Sequence, residues 1–258
     1  MIIGGAILLG AVAVALAWPV PILLVRASWP MRQPILALVW WQMIGLGGGV
    51  SIMLALALSG VALLPDHRLI GLLPAAGFGG YLLAHLGVTF VQVTRLRRRH
   101  LALLELLTSP HPTRTATRVL DDAAPVAYCL PAGIGSVTVL SRGLLERLAP
   151  DELAAVVAHE RAHARQRHDL LLLAFRAWRS ALPWFWVAAR AESEVAVLVE
   201  MVADDYARRE VPDEVLVRAI LSVGAPEGPE MGPVRGHAGG VSKRFHRLTS
   251  PAPEKPIG

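Results

Sequence analysis

Apolar positions along the chain fall into two regimes. Up to about residue 93 they form three nearly unbroken runs, and beyond that they recur with helical or strand spacing. The first run, residues 1–25, carries no charged side chain. The second, 34–64, and the third, 69–93, carry none either, although His85 sits inside the third. About 20 apolar helical residues cross a hydrocarbon core of roughly 30 Å, so each run predicts a transmembrane helix. A cleaved signal peptide is the competing reading of the first run, but no Lys or Arg precedes it. His85 reads as a neutral histidine hydrogen-bonded to a neighbouring helix rather than as a functional intramembrane group.

From about Thr94 the pattern is that of a small mixed domain. Leu101 to Leu107 continues the third helix until Pro110 and Pro112 break it. Short β-leaning runs follow at Ala116–Leu120, Val126–Leu130 and Val137–Leu140, with Leu130 to Gly135 read as a loop. Ser136 to Leu140 reads either as an edge strand that pairs with an extended substrate through Val137, Thr138 and Val139, or as an ordinary core strand. Pro150-Asp151-Glu152 marks a helix start, with Pro in the first turn and acids near the positive end of the dipole. A further helix covers Ala191 to Arg209. Between them, residues 170–189 are apolar but hold Arg176 and Arg179 beside Trp178, Trp184 and Trp186, a mixture that suits an interfacial segment at the membrane surface better than the alternative, a fourth transmembrane helix with two arginines at mid-depth. The organisation expected is therefore a membrane region over 1–94, a catalytic domain over 95–222 and a flexible Gly/Pro-rich tail over 223–258.

Composition strengthens this picture. The 258 residues are 54% hydrophobic and 17% charged, against about 25% charged in an average globular chain, and the mean hydropathy is +0.49. The net charge of +5 and pI of about 10.1 raise a nucleic-acid reading, but the basic residues flank apolar runs and act as topology signals, so no direct nucleic-acid contact is expected. Arg26 and Arg32 in the first loop, and Arg95, Arg97, Arg98 and Arg99 after the third run, place both segments in the cytoplasm. The turn Pro65-Asp66-His67-Arg68 then faces outward. The expected arrangement is a multi-pass protein of the plasma membrane with its N-terminus outside and the catalytic domain inside. The single cysteine, Cys129, offers neither an internal disulfide nor a thiolate metal cluster.

The chemistry lies in His159-Glu160-Arg161-Ala162-His163. Residues i and i+4 share a helix face, so His159 and His163 can direct two imidazoles at one metal. Glu160 lies one residue round the helix, where its carboxylate reaches a water at the metal rather than the metal itself. One zinc ion per chain would acidify that water and polarise a peptide carbonyl, and Glu160 would take the proton and deliver it to the leaving amine. A catalytic zinc takes a third protein ligand. Glu200 and Asp204, again i and i+4, sit on a helix rich in valine. Glu200 would bind the metal, and Asp204 would accept a hydrogen bond from the far nitrogen of a ligating histidine. Glu192 and Glu194 are weaker alternatives to Glu200, and Asp205 is a weaker alternative to Asp204. His168 falls about 140° round the helix from His163 and does not read as a ligand. Tyr206 and Arg208 are candidates for stabilising an oxyanion.

Taken together, AVVAHERAHARQRHDLL, the Trp-rich stretch with Pro183 and Trp184, and the Glu200/Asp204 helix resemble the BlaR/MecR-type membrane zinc metallopeptidases. More distantly they resemble the HtpX-type and CaaX-type membrane proteases. The resemblance covers about Val126 to Arg209 and the three preceding apolar runs. It implies a mainly α membrane protein with three N-terminal transmembrane helices and a small α+β zincin-like (gluzincin) domain. It also implies His159, His163 and Glu200 as zinc ligands, Glu160 as acid/base, and a cytoplasmic protein substrate, often a winged-helix repressor. The chain departs from the best-known members in having only a short tail after the peptidase region, with no large penicillin-binding domain and no clear final membrane helix. An HtpX-like quality-control protease and a catalytically silent membrane receptor are the alternatives. A homo-oligomer is compatible with either.

Overall fold

The structure is a computed structural model and describes residues 2–110, 117–132, 135–224 and 237–249. The chain divides into two compact units, Met1–Arg95 with Leu170–Leu198, and Leu96–Asp169 with Val199–Gly258.

The first unit is helical. Among the described residues, three stretches are long and apolar enough to cross a membrane: Ile2–Arg26, Pro34–Leu63 and Pro65–Arg99. The first is two helices, α1 (Ile2–Ala17) and α2 (Pro19–Arg26), because Pro19 has no N–H to continue the ladder and starts a new helix instead. A short helix, α3 (Trp29–Arg32), leads into α4 (Pro34–Leu63). A 3₁₀ turn, Pro65–His67, and α5 (Arg68–Gly71) then lead into α6 (Leu73–Leu107). Small residues let these helices approach. A Cβ on Gly60 would lie 1.8 Å from the Gly71 carbonyl oxygen, so the α4–α5 turn requires glycine.

Helix α9 (His168–Ala181) and the start of α10 (Trp186–Ala207) complete this unit. From Leu170 onward α9 lies on α4 and α6. The Trp178 ring occupies the space where a Gly45 Cβ would be. Tyr81 donates to the Ala181 carbonyl at 2.6 Å, and His85 pairs with Ser180 at 3.0 Å, the neighbouring-helix partner expected of it. Arg179 pairs with Glu192 at 3.1 Å.

The second unit is α+β. Its sheet holds β1 (Thr108–Pro110), β2 (Thr117–Leu120), β3 (Ala127–Ala132) and β4 (Gly135–Ser141) in the order β1-β2-β4-β3. The β1/β2 and β3/β4 pairs are antiparallel, while β2/β4 is parallel. Ala116, expected in the second strand, lies outside the described residues. The expected loop at Leu130–Gly135 is corrected: β3 runs through Pro131 to Ala132, which pairs with Gly135, and only Gly133 and Ile134 lie outside the described residues. Pro131 is tolerated because β3 is an edge strand, where a missing N–H costs no ladder bond.

Ser141 ends β4 and caps α7 (Arg142–Arg147), accepting from the Leu144 N–H. Helix α8 (Pro150–Gln166) begins at Pro150, with the Glu152 carboxylate accepting from the Ala149 N–H at 3.1 Å. One side of α8 packs Leu153 and Val157 against Leu140, Leu144 and Leu148. The other packs Ala155 and Ala158 against α11 (Asp213–Gly224) and Leu248. Leu248 belongs to α12 (His237–Thr249), a helix inside the stretch expected to be a flexible tail. Its apolar face joins this core through Leu248, while Arg244 reaches the buried Asp204 and Arg247 the half-buried Asp205.

Candidate metal centre

Helix α8 carries His159, Glu160 and His163, and α10 carries Glu200 and Asp204. The i, i+4 spacing puts both imidazoles on one face of α8, and α10 brings its two carboxylates to that face. Nε2 of His159 lies 3.1 Å from Nε2 of His163 and 3.2 Å from Oε2 of Glu200. Oε1 of Glu200 is 3.4 Å from Nε2 of His163. One ligand atom from each of His159, His163 and Glu200 lies within 4.8 Å of the other two.

Two imidazole nitrogens and a carboxylate oxygen are a donor set that a catalytic zinc takes. With bonds of about 2.0–2.1 Å, a tetrahedron has edges of about 3.3 Å, close to the 3.1 Å between the two imidazole nitrogens and to the distance from each of them to its nearer Glu200 oxygen. The residues therefore fit a zinc ion, and the open side of the group faces a cleft of about 600 Å³. Glu160 lines this cleft along with the two histidines and Glu200. Its carboxylate accepts a hydrogen bond from the Cys129 N–H on β3. Burial holds its pKa above the usual carboxylate range, against the pull of His159, His163 and that N–H.

Asp204 is almost fully buried. Its Oδ1 lies 3.0 Å from Nδ1 of His159. Burial alone would lower the His159 pKa, but hydrogen bonding to Asp204 and Glu200 overrides it and raises the value to about 9. Burial likewise opposes ionisation of Glu200 and Asp204. Bonds to His159 and His163 nevertheless depress Glu200, and bonds to His159 and Arg244 depress Asp204.

Two residues not read from the sequence as part of the site belong to it. Arg244 on α12 donates from Nε and a terminal nitrogen to the two oxygens of Asp204, both at 2.7 Å, and to Oε2 of Glu200 at 3.1 Å. No local signal announces it, because it lies some 40 residues beyond its partners in a Gly/Pro-flanked stretch. His168, set aside on helical geometry, has its Nδ1 3.0 Å from Nδ1 of His163. Burial first, and then the His163 charge, pull its pKa down to about 4.

The remaining candidates lie elsewhere. Glu192 pairs with Arg179 and Arg176, Glu194 with Arg190 at 2.8 Å and Asp205 with Arg247 at 2.7 Å. Arg208 forks onto Asp213, and the Tyr206 hydroxyl accepts from Arg165. The edge-strand reading of Val137, Thr138 and Val139 is corrected. They lie in β4, where all three pair with β3 and Thr138 and Val139 pair on the other side with β2, and Thr138 and Val139 are buried. Both flanks of that backbone are already hydrogen-bonded, so no peptide can add there. The edge strand bordering the cleft is β3, whose Ala127 lines it.

Residues 91–207 match the family model described as Peptidase family M48. That range includes the whole sheet, α8 and all of α10. No curated protein and no solved structure matches the chain.

Proposed function

We propose that this membrane-associated metallopeptidase is a zinc endopeptidase that hydrolyses a cytoplasmic protein, in the manner of the BlaR/MecR-type proteins. Its substrate would be a transcriptional repressor, cleaved in response to a signal received at the plasma membrane. The carrying observation is the convergence of His159, His163 and Glu200 at tetrahedral-edge spacing on a cleft that Glu160 also lines. The M48 match over 91–207 supports the peptidase reading, and three helices of membrane-spanning length support attachment to the bilayer.

A zinc ion held by His159, His163 and Glu200 supplies Lewis acidity for a water and for the scissile carbonyl. The chain supplies the rest. Glu160, held by the Cys129 N–H, takes a proton from the attacking water and passes it to the departing amine, so that water is added across the C–N bond. Asp204 orients His159, and Arg244 neutralises Asp204 and Glu200.

The test compares the proteomes of cells carrying the wild-type chain and its Glu160→Gln variant. A cytoplasmic protein cleaved only with the wild type is the expected result, with a rate loss of about a hundredfold or more for the variant. A winged-helix repressor as that protein supports regulated proteolysis, whereas many misfolded membrane proteins would point to the HtpX-like role. Intact cleavage and signalling in the variant would overturn the enzymatic reading.

A further inference from the structure

We propose that His168, together with Gln166, is a positioning residue that fixes the tautomer of His163, so that Nε2 of His163 meets the metal as a lone pair. This rests on the reading of His159, His163 and Glu200 as zinc ligands.

The contact exists because the helix stops where it does. Helix α8 ends at Gln166. Arg167, at φ 49°, is the only non-glycine residue with positive φ among those described, and its N–H closes onto the His163 carbonyl. Continued as one helix, the chain would carry His168 about 140° away from His163. The left-handed residue instead turns the chain, and the His168 ring folds back edge-to-face on His163, with centroids 4.9 Å apart at 87°. His168 is buried, at 3% exposure. Its two nitrogens face Nδ1 of His163 at 3.0 Å and the side-chain oxygen of Gln166 at 2.7 Å.

A nitrogen–nitrogen hydrogen bond holds one proton, so with both imidazoles neutral only two arrangements satisfy this chain of three groups. In the first, the Gln166 carbonyl accepts from Nε2–H of His168. Nδ1 of His168 then accepts from Nδ1–H of His163, and Nε2 of His163 is left with its lone pair. In the second, the Gln166 amide is reversed and donates to Nε2 of His168. Nδ1–H of His168 then donates to His163, and the hydrogen on Nε2 of His163 closes it to a metal. The amide orientation found, oxygen toward His168, is the first arrangement. The two ligands are thus oriented by different chemistry, His159 by a carboxylate and His163 by a neutral imidazole and an amide.

The experiment measures zinc affinity of the full chain in detergent by competition with a chromophoric chelator. His168→Leu removes the acceptor and should weaken zinc binding about tenfold or more. His168→Asn keeps a carbonyl acceptor and should restore most of that loss. Nitrogen-15 spectra of the zinc-loaded wild-type protein should show the His163 proton on Nδ1. His168→Leu binding zinc as the wild type does, an Asn variant as weak as the Leu variant, or a His163 proton on Nε2 would each overturn the positioning role. His163→Ala separates the two levels. Undiminished zinc binding in that variant would overturn the metal reading itself, whereas loss of zinc there with none in His168→Leu would overturn only the role of His168. The wild-type spectrum decides the point even if His168→Leu does not fold.

Discussion

Replacing Arg244 with methionine removes the guanidinium that reaches both Asp204 and Glu200 while keeping a long, flexible side chain to fill the space. Asp204 is 1% exposed and would lose two 2.7 Å hydrogen bonds, and Glu200 would lose one at 3.1 Å. Breaking a buried ion pair by deleting one partner costs about 3–5 kcal/mol, because the remaining charge stays desolvated. Asp204 keeps His159 at 3.0 Å, which places the expected loss near the lower end, about 3 kcal/mol. Arg247→Met is the internal control. It makes the same charge change on the same helix, but its partner Asp205 is 29% exposed, and such pairs are worth about 0.2–1 kcal/mol. Hydrogen–deuterium exchange of peptides from α12 in the intact protein reads the difference. Opening of α12 should become about a hundredfold more frequent in Arg244→Met and about fivefold or less in Arg247→Met, at 1.4 kcal/mol per tenfold. Adding Asp204→Asn to Arg244→Met removes the stranded charge and should return part of the protection. Equal losses in the two single variants, or a double variant no better than Arg244→Met, would refute the view that a buried charge pair anchors α12.

Ser141→Ala should destabilise the second unit by about 2–4 kcal/mol, because the fully buried hydroxyl accepts from the Val126 and Leu144 N–H groups and donates to the Ala124 carbonyl at 2.6 Å. Urea unfolding followed by circular dichroism measures it, and a shift below about 1 kcal/mol would count against the hydroxyl's role as a cap. Gly143→Ala should cost about 1–3 kcal/mol by the same assay. Its Cβ would lie 1.9 Å from the Ala123 carbonyl oxygen, a backbone atom that cannot swing aside, and an unchanged unfolding midpoint would show that the loop yields freely.

Whatever depends on spacing along the chain was open to reading from residues alone. Three uncharged runs of membrane-spanning length need no tertiary contact to be recognised, because crossing a bilayer is a matter of length and polarity. The His159/His163 and Glu200/Asp204 pairs follow from 3.6 residues per turn, and the start of α8 from Pro150 and the acids that follow it. What depends on how distant segments meet was decided by the tertiary structure. Val137, Thr138 and Val139 have the same local pattern in an edge strand as in a central one, and only the flanking β2 and β3 show their backbone to be used up. Pro131 looked like loop punctuation, and only the edge position of β3 makes it compatible with a strand. Arg244 reaches Asp204 from a helix whose glycine-rich flanks carry no signal of order. His168 was excluded by assuming that one helix continued through it. A single left-handed residue, Arg167, breaks that helix and turns a 140° separation into a 3.0 Å contact. Helical periodicity therefore located the candidate ligands, while a one-residue departure from it, which periodicity cannot encode, decided what stands behind one of them.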